Sequence, residues 1–242
     1  MFPKHFTSLE LYQKKKEILL YRASDQEHRY ILKSIITKDP ALRQAFYDEY
    51  KAFSELSSPS LPFYYGIMED FRYPDQQGAY LTLCMEDCSD GLPMDQLHYT
   101  APELTEILYK IGEILLYLLN HGILYTDLNP SNVLVRRSEG QWKVILIDFT
   151  CAYYYIRNPH PDYPLKFSYR LSPSLKGQQL LIQELALLLQ DILLQDEVSE
   201  TSSALCLLLE TGLHPGESLR LTDYLIMINN SYAHSSGQLH DT

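Results

Sequence analysis

Apolar residues alternate along the first third of the chain and recur at three-and-four spacing beyond it. Leu9-Glu10-Leu11-Tyr12 and Glu17-Ile18-Leu19-Leu20-Tyr21 flank a polar turn, and Arg29-Tyr30-Ile31-Leu32-Lys33-Ser34-Ile35 continues with a period of two, so three strands are expected. Asp39-Pro40 then opens a helix, with Asp as N-cap and Pro at the first helical position. Leu42, Phe46, Glu49 and Phe53 share one face of it. A carboxylate on that apolar face either meets a cation or lies at the stripe's edge and reaches water. Leu61 to Met68 and Ala79 to Met85 read as two more strands, the second preceded by the turn Pro74-Asp75-Gln76-Gln77-Gly78. The polar stretch Glu86-Asp87-Cys88-Ser89-Asp90-Gly91 marks a boundary between two lobes, placed at 1–87 and 88–242.

Past that boundary the helical period takes over. Thr100-Ala101-Pro102-Glu103 is a capping box. Leu104, Ile107, Leu108, Ile111, Ile114, Leu115 and Leu118 follow as a long amphipathic helix with a glycine stop at Asn120-His121-Gly122. Val133-Leu134-Val135 and Val144-Ile145-Leu146-Ile147 read as a hairpin that turns at Ser138-Glu139-Gly140. An irregular stretch rich in Tyr and Pro runs from Thr150 to about Pro173, and helices near 178–194, 202–211 and 219–229 close the chain.

Charge and composition exclude several classes. The formal net charge over 242 residues is −11, the opposite of the basic footprint that binding a nucleic-acid backbone requires. Met1-Phe2-Pro3-Lys4-His5 has no apolar secretion core. Leu180 to Leu194 is greasy but carries Gln183, Glu184, Gln190 and Asp191, so it reads as a buried helix and not a membrane span. Cys84, Cys88, Cys151 and Cys206 show no zinc-type pairing with histidine; they suit a reducing cytoplasm.

The candidate chemistry lies in Asp127-Leu128-Asn129-Pro130-Ser131-Asn132 and in Ile147-Asp148-Phe149. These segments hold an acid, an amide and a second acid around one short hairpin. Magnesium–nucleotide phosphoryl transfer asks for such a set. One Asp orients or deprotonates the attacking hydroxyl, while an Asn and another Asp hold the metal that neutralises the phosphates.

In this order of elements and motifs, the chain resembles the protein kinase superfamily from about Leu9 to Asn229. The resemblance implies an α+β, bilobal fold, with an antiparallel N-lobe sheet, one main N-lobe helix and a truncated, mostly helical C-lobe. It implies ATP and Mg2+ as cofactors. Lys33 stands for the strand lysine that grips the nucleotide's α- and β-phosphates, and Glu49 for its helix partner. Met85-Glu86-Asp87-Cys88 stands for the gatekeeper and hinge, so the backbone of Glu86 and Cys88 would receive adenine. Asp127 is then the catalytic base, Asn132 the metal-binding amide and Asp148 the acid on magnesium.

Several positions depart from the family. Gln13-Lys14-Lys15-Lys16-Glu17 has no glycine where a phosphate flap is expected. Thr126 replaces the arginine that pairs with a phosphorylated activation loop. Asn129 replaces the lysine that contacts the γ-phosphate; an amide there donates a hydrogen bond but brings no charge. Thr150 replaces a glycine, Ser172-Pro173-Ser174 replaces Ala-Pro-Glu, and Gln183-Glu184 stands where a helix should begin with a buried Asp.

Three functions are compatible with this pattern. The first is a compact, divergent Ser/Thr protein kinase. The second is a pseudokinase that binds nucleotide or scaffolds a protein partner, and the third is a small-molecule kinase of the aminoglycoside or choline kinase type. None of them calls for nucleic acid or a membrane span.

Overall fold

Residues 5–15, 18–36, 40–149, 153–154, 177–195 and 203–237 are described by the computed structural model. They fall into two compact units that divide between Asp90 and Gly91.

The first unit is a five-stranded antiparallel sheet in the order β1-β2-β3-β5-β4, with one helix. The strands are β1 (Ser8–Lys15), β2 (Ile18–Ser24) and β3 (Arg29–Ile35), then β4 (Tyr64–Phe71) and β5 (Tyr80–Glu86) after the helix α1 (Pro40–Phe53). The fourth strand starts at Tyr64 and not at the expected Leu61, because Pro62 has no N–H to give to a ladder. Directly paired residues share a face of a sheet. Leu20, Lys33, Leu83 and Ile67 therefore stand in one row, and Arg22, Ile31 and Met85 in the next row toward the end of β5.

The opposite face is closed over. Leu19, Tyr21, Ala23, Tyr30, Leu32, Ser34, Thr82 and Cys84 are all buried there. The chain between β4 and β5 folds back across them, stacking the Tyr73 ring on Tyr21 at 3.9 Å between centroids. Ser34 Oγ lies 2.5 Å from the Tyr73 hydroxyl and 2.8 Å from Thr82 Oγ1, so the polar atoms under this cover satisfy one another.

In the second unit, β6 (Leu92–Pro93) pairs with β8 (Val133–Ser138), which pairs with β9 (Gln141–Leu146). The helix α2 (Ala101–Asn120) is opened by the expected capping box: Thr100 N–H donates to Glu103 Oε2 at 3.0 Å. Gly122, at φ 81°, ends it. The Ser138–Gln141 turn puts Glu139 at φ 55° and Gly140 at φ 79°, the pair of positive angles that a two-residue hairpin needs. The strand β7 (Ile123–Leu124) pairs with β10 (Tyr153–Tyr154), so two residues of the stretch read as irregular belong to a sheet. The rest of that stretch lies outside the described residues.

The helices α3 (Gln178–Gln195), α4 (Ser203–Leu213) and α5 (Leu221–Gly237) follow. The third helix is buried nearly all round from Leu180 to Leu189, as expected of a helix apolar on every side. Its mate α5 packs on α2 so closely that a Cβ placed on Gly112 would meet Leu225 Cδ2 at 2.1 Å. No helix among the described residues is long and apolar enough to cross a membrane.

Candidate active site

The α1 stripe turns Glu49 inward, where it is 0% exposed, and β3 turns Lys33 to meet it at 5% exposure. Lys33 Nζ lies 3.3 Å from Glu49 Oε2. The Tyr64 hydroxyl, from β4, donates to Glu49 Oε1 at 2.7 Å. The Lys33 ammonium also sits 5.8 Å from the centroid of the Phe46 ring. The alternative at the stripe's edge is thereby settled: the carboxylate meets a cation. Two charges taken out of water cost several kcal/mol unless each is paired and hydrogen-bonded, and here each carboxylate oxygen has its own donor.

Glu86 closes β5 and Cys88 follows two residues beyond it, at the positions the resemblance gives to the hinge. Glu86 N–H donates to Phe63 O at 2.8 Å and Asp87 N–H to Arg29 O at 3.2 Å. Two of the hinge's backbone donors are thus engaged within the first unit. Burial pushes the Cys84 thiol up to about 12, which keeps it protonated and unreactive beside the hinge.

In the second unit one hydrogen-bonded sequence assembles the remaining candidates. Asn132 Nδ2 donates to Asp127 O at 3.0 Å. Asn132 O accepts Ile147 N–H at 3.0 Å. Ile147 O accepts the Tyr125 hydroxyl at 3.0 Å. Held at both its N–H and its carbonyl, Ile147 fixes the start of Asp148. The backbone of Asp148 is left-handed at φ 60°, a region Asp enters more readily than most residues. Tyr125 is wholly buried with its ring 5.2 Å from that of Phe149. Burial, with the Asp148 and Asp127 charges close by, holds its phenol well above the ordinary tyrosine range.

The helix α3 contributes from below the loop. Glu184 is buried, and its Oε2 accepts Leu128 N–H at 3.2 Å. A buried acid therefore does tie this helix to the loop, although the residue is Glu where Asp was expected. Asn129 differs from its sequence reading. Its Oδ1 accepts Ser131 N–H at 3.2 Å and caps the short 3-10 turn Pro130–Asn132, while its Nδ2 donates to Asp127 O at 3.1 Å. Both ends of the amide are engaged inside the loop.

The model of the protein kinase domain matches residues 17–175, well over half of the chain. The chain belongs to the protein kinase family. Its fold is accordingly a kinase-like α+β fold, and the family's chemistry is phosphoryl transfer, as a rule with ATP and magnesium. No curated protein matches the chain. All seven candidate residues, Lys33, Glu49, Glu86, Cys88, Asp127, Asn132 and Asp148, lie inside the matched range, whereas α3, α4 and α5 lie beyond it.

Lys33 and Glu49 meet in the first unit of this kinase domain; Asp127, Asn132 and the start of Asp148 are held by one network in the second. Sequence reasoning missed the parts played by Tyr64, whose only trace was an aromatic at a strand position, and by Tyr125, two residues before Asp127, as well as Glu184's contact with the Leu128 segment. Thr126 is buried. Lys16, Glu17, Thr150, Tyr155 and Ser172-Pro173-Ser174 lie outside the described residues.

The donor set fits a hard cation. With Nδ2 bonded to Asp127 O, the side-chain oxygen of Asn132 is a candidate donor to a cation, and Asp148 is exposed. Among the described residues no group of three or more His, Cys, Asp or Glu forms a cage. Magnesium needs none, since it takes one or two protein oxygens and completes its shell with phosphate and water.

Proposed function

We propose that the chain is a compact, divergent protein kinase that transfers the γ-phosphoryl group of ATP to serine or threonine hydroxyls. The observation that carries this reading is the network running from Asp127 O through Asn132 and Ile147 to Tyr125, which holds acid, amide and acid in one arrangement. Asp127, half-buried, orients the acceptor hydroxyl and takes its proton. Asn132 Oδ1 and the Asp148 carboxylate would hold Mg2+. When bound, that ion neutralises charge on the β- and γ-phosphates. Lys33, kept in place by Glu49, draws the α- and β-phosphates into position. The buried thiols of Cys84 and Cys88, neither of them in a disulfide, suit a reducing cytoplasm.

The test is transfer from labelled ATP with magnesium, to the chain itself or to a generic protein acceptor. Asp127→Asn keeps the side-chain shape and removes the base, so transfer should fall by at least about 100-fold. Equal labelling by wild type and variant would sink the assignment.

One observation favours a second reading, a nucleotide-binding module without turnover. Asn129 offers no cation where the family has lysine, and its amide is engaged in the loop. A nucleotide-dependent rise in melting temperature, with no transfer to any protein or small-molecule acceptor, would select that reading.

A further inference from the structure

One row beyond Leu32 and Cys84, at the end of β5, the covered face of the first sheet opens to solvent. In that row Tyr30 is paired with Glu86, and Glu86 is exposed. A bulge in β4 adds a ring to it. Tyr64 pairs with Met85 and Gly66 with Cys84, which leaves Tyr65 as the extra residue, and bulges re-aim side chains. The Tyr65 ring stands edge-on to Tyr30 at 4.9 Å, to Phe63 at 4.9 Å and to His28 at 5.9 Å between centroids. Tyr30 is buried and Tyr65 half-buried, but His28 is exposed and Phe63 is 53% exposed. A single exposed ring needs no explanation; a contiguous patch of them marks a surface for contact.

Carboxylates border these rings. Phe63 N–H donates to Glu86 Oε2 at 3.1 Å, and Glu86 N–H donates to Phe63 O at 2.8 Å, so the exposed ring and the acid are locked side by side. On the His28 side, Asp25 accepts the Tyr30 hydroxyl at 2.5 Å, the His28 N–H at 2.8 Å and the Glu27 N–H at 2.9 Å. The Tyr30 bond, then the two N–H groups, hold the Asp25 carboxyl down to about 2, so it stays charged. Among the described residues Glu86 forms no ion pair, and Asp25 has only His28 within range, at 4.0 Å. Arg29, the nearest arginine along β3, is set by strand alternation on the other face with Ile31 and Lys33.

Aromatic rings beside carboxylates are what a guanidinium satisfies. It stacks flat on a ring and can give two parallel N–H bonds to an acid, whereas an ammonium is a compact, more strongly hydrated charge. An open sheet face suits a side chain delivered by another protein, since a small molecule needs a hollow. We infer that Phe63, Tyr65, Glu86 and Asp25 dock an arginine-bearing basic segment of a protein partner. The surface lies on the face opposite Lys33, so the inference stands independently of nucleotide binding and turnover.

It is tested by fluorescence anisotropy of end-labelled octa-arginine and octa-lysine with the full chain, in about 150 mM salt to screen the net charge of −11. Octa-arginine should bind about fivefold tighter than octa-lysine, the size of one exposed cation–π contact. Phe63→Leu keeps an apolar side chain and removes the ring, so it should erase that preference and leave octa-lysine unchanged. Phe63→Tyr should retain it. Phe63 is exposed, so the melting temperature should hold in both variants and serves as the folding control. Asp25→Asn should weaken both peptides, because it removes a charge and not a ring. Equal affinity of the wild-type chain for the two peptides would overturn the inference. So would a preference that survives in Phe63→Leu, or the absence of octa-arginine binding.

Discussion

Glu49 shows what a single residue can declare. Three apolar companions at helical spacing announce a buried face, and a carboxylate among them announces a buried cation, here Lys33 at 3.3 Å. Removing one partner of such a pair strands the other charge. Glu49→Ala is therefore expected to lower unfolding free energy by about 3–5 kcal/mol, read from urea midpoints. The double change Lys33→Met with Glu49→Leu should recover most of that loss, because neither charge then stays unpaired. Tyr64→Phe removes one donor from a buried carboxylate and should cost about 1–3 kcal/mol. An unchanged urea midpoint in Glu49→Ala would mean that the pair adds nothing to stability. The pair was legible in the sequence because it needs only periodicity and one unexpected charge. Tyr64 was not, because nothing local says that its hydroxyl reaches a helix 15 residues earlier.

Elements were legible where local chemistry decides them. The Thr100–Glu103 box, the Gly122 stop and the Glu139-Gly140 turn are self-contained signals, and each stands where the sequence places it. Features that depend on a partner strand or a distant helix were hidden. The bulge at Tyr65 is a property of two strands in register, and the pairing of Tyr153–Tyr154 with Ile123–Leu124 joins segments about thirty residues apart. Asn129 belongs to both kinds. An Asn before Pro marks a turn, but its second bond, to Asp127 O, appears only in the folded loop. At this scale Gly112 carries the sharpest expectation. Gly112→Ala drives a methyl group to within 2.1 Å of Leu225 Cδ2, so the buried Leu225 side chain must leave its place or α2 and α5 must move apart, and either outweighs the gain in helix propensity. A loss of about 1–3 kcal/mol in thermal or urea unfolding is expected, and a more stable variant would contradict this packing.

Across the whole molecule the abundance of tyrosine, 20 in 242 residues, becomes a pH property. Burial, then the bond to Asp75, pushes the Tyr21 phenol up to about 12. Burial likewise raises Tyr30, Tyr73, Tyr125 and Tyr224. A phenol whose folded value exceeds its unfolded value of about 10 stabilises fully below pH 10 and loses that contribution as pH climbs toward the folded value. Alkaline unfolding should therefore begin above pH 10, with the tyrosinate absorbance of the buried rings appearing together with loss of ellipticity. Absorbance that rises to completion near pH 10 without unfolding would contradict it.

The helices beyond residue 175 decide where this molecule could be cut. The family match ends there, yet Glu184 reaches back to Leu128 N–H and Leu225 fills the notch at Gly112. A fragment trimmed to the matched range would uncover the apolar stripe of α2 and release the loop that carries Asp127. The stretch that identifies the ancestry of this chain is thus shorter than the stretch that folds, and expression trials should keep α3 and α5 attached.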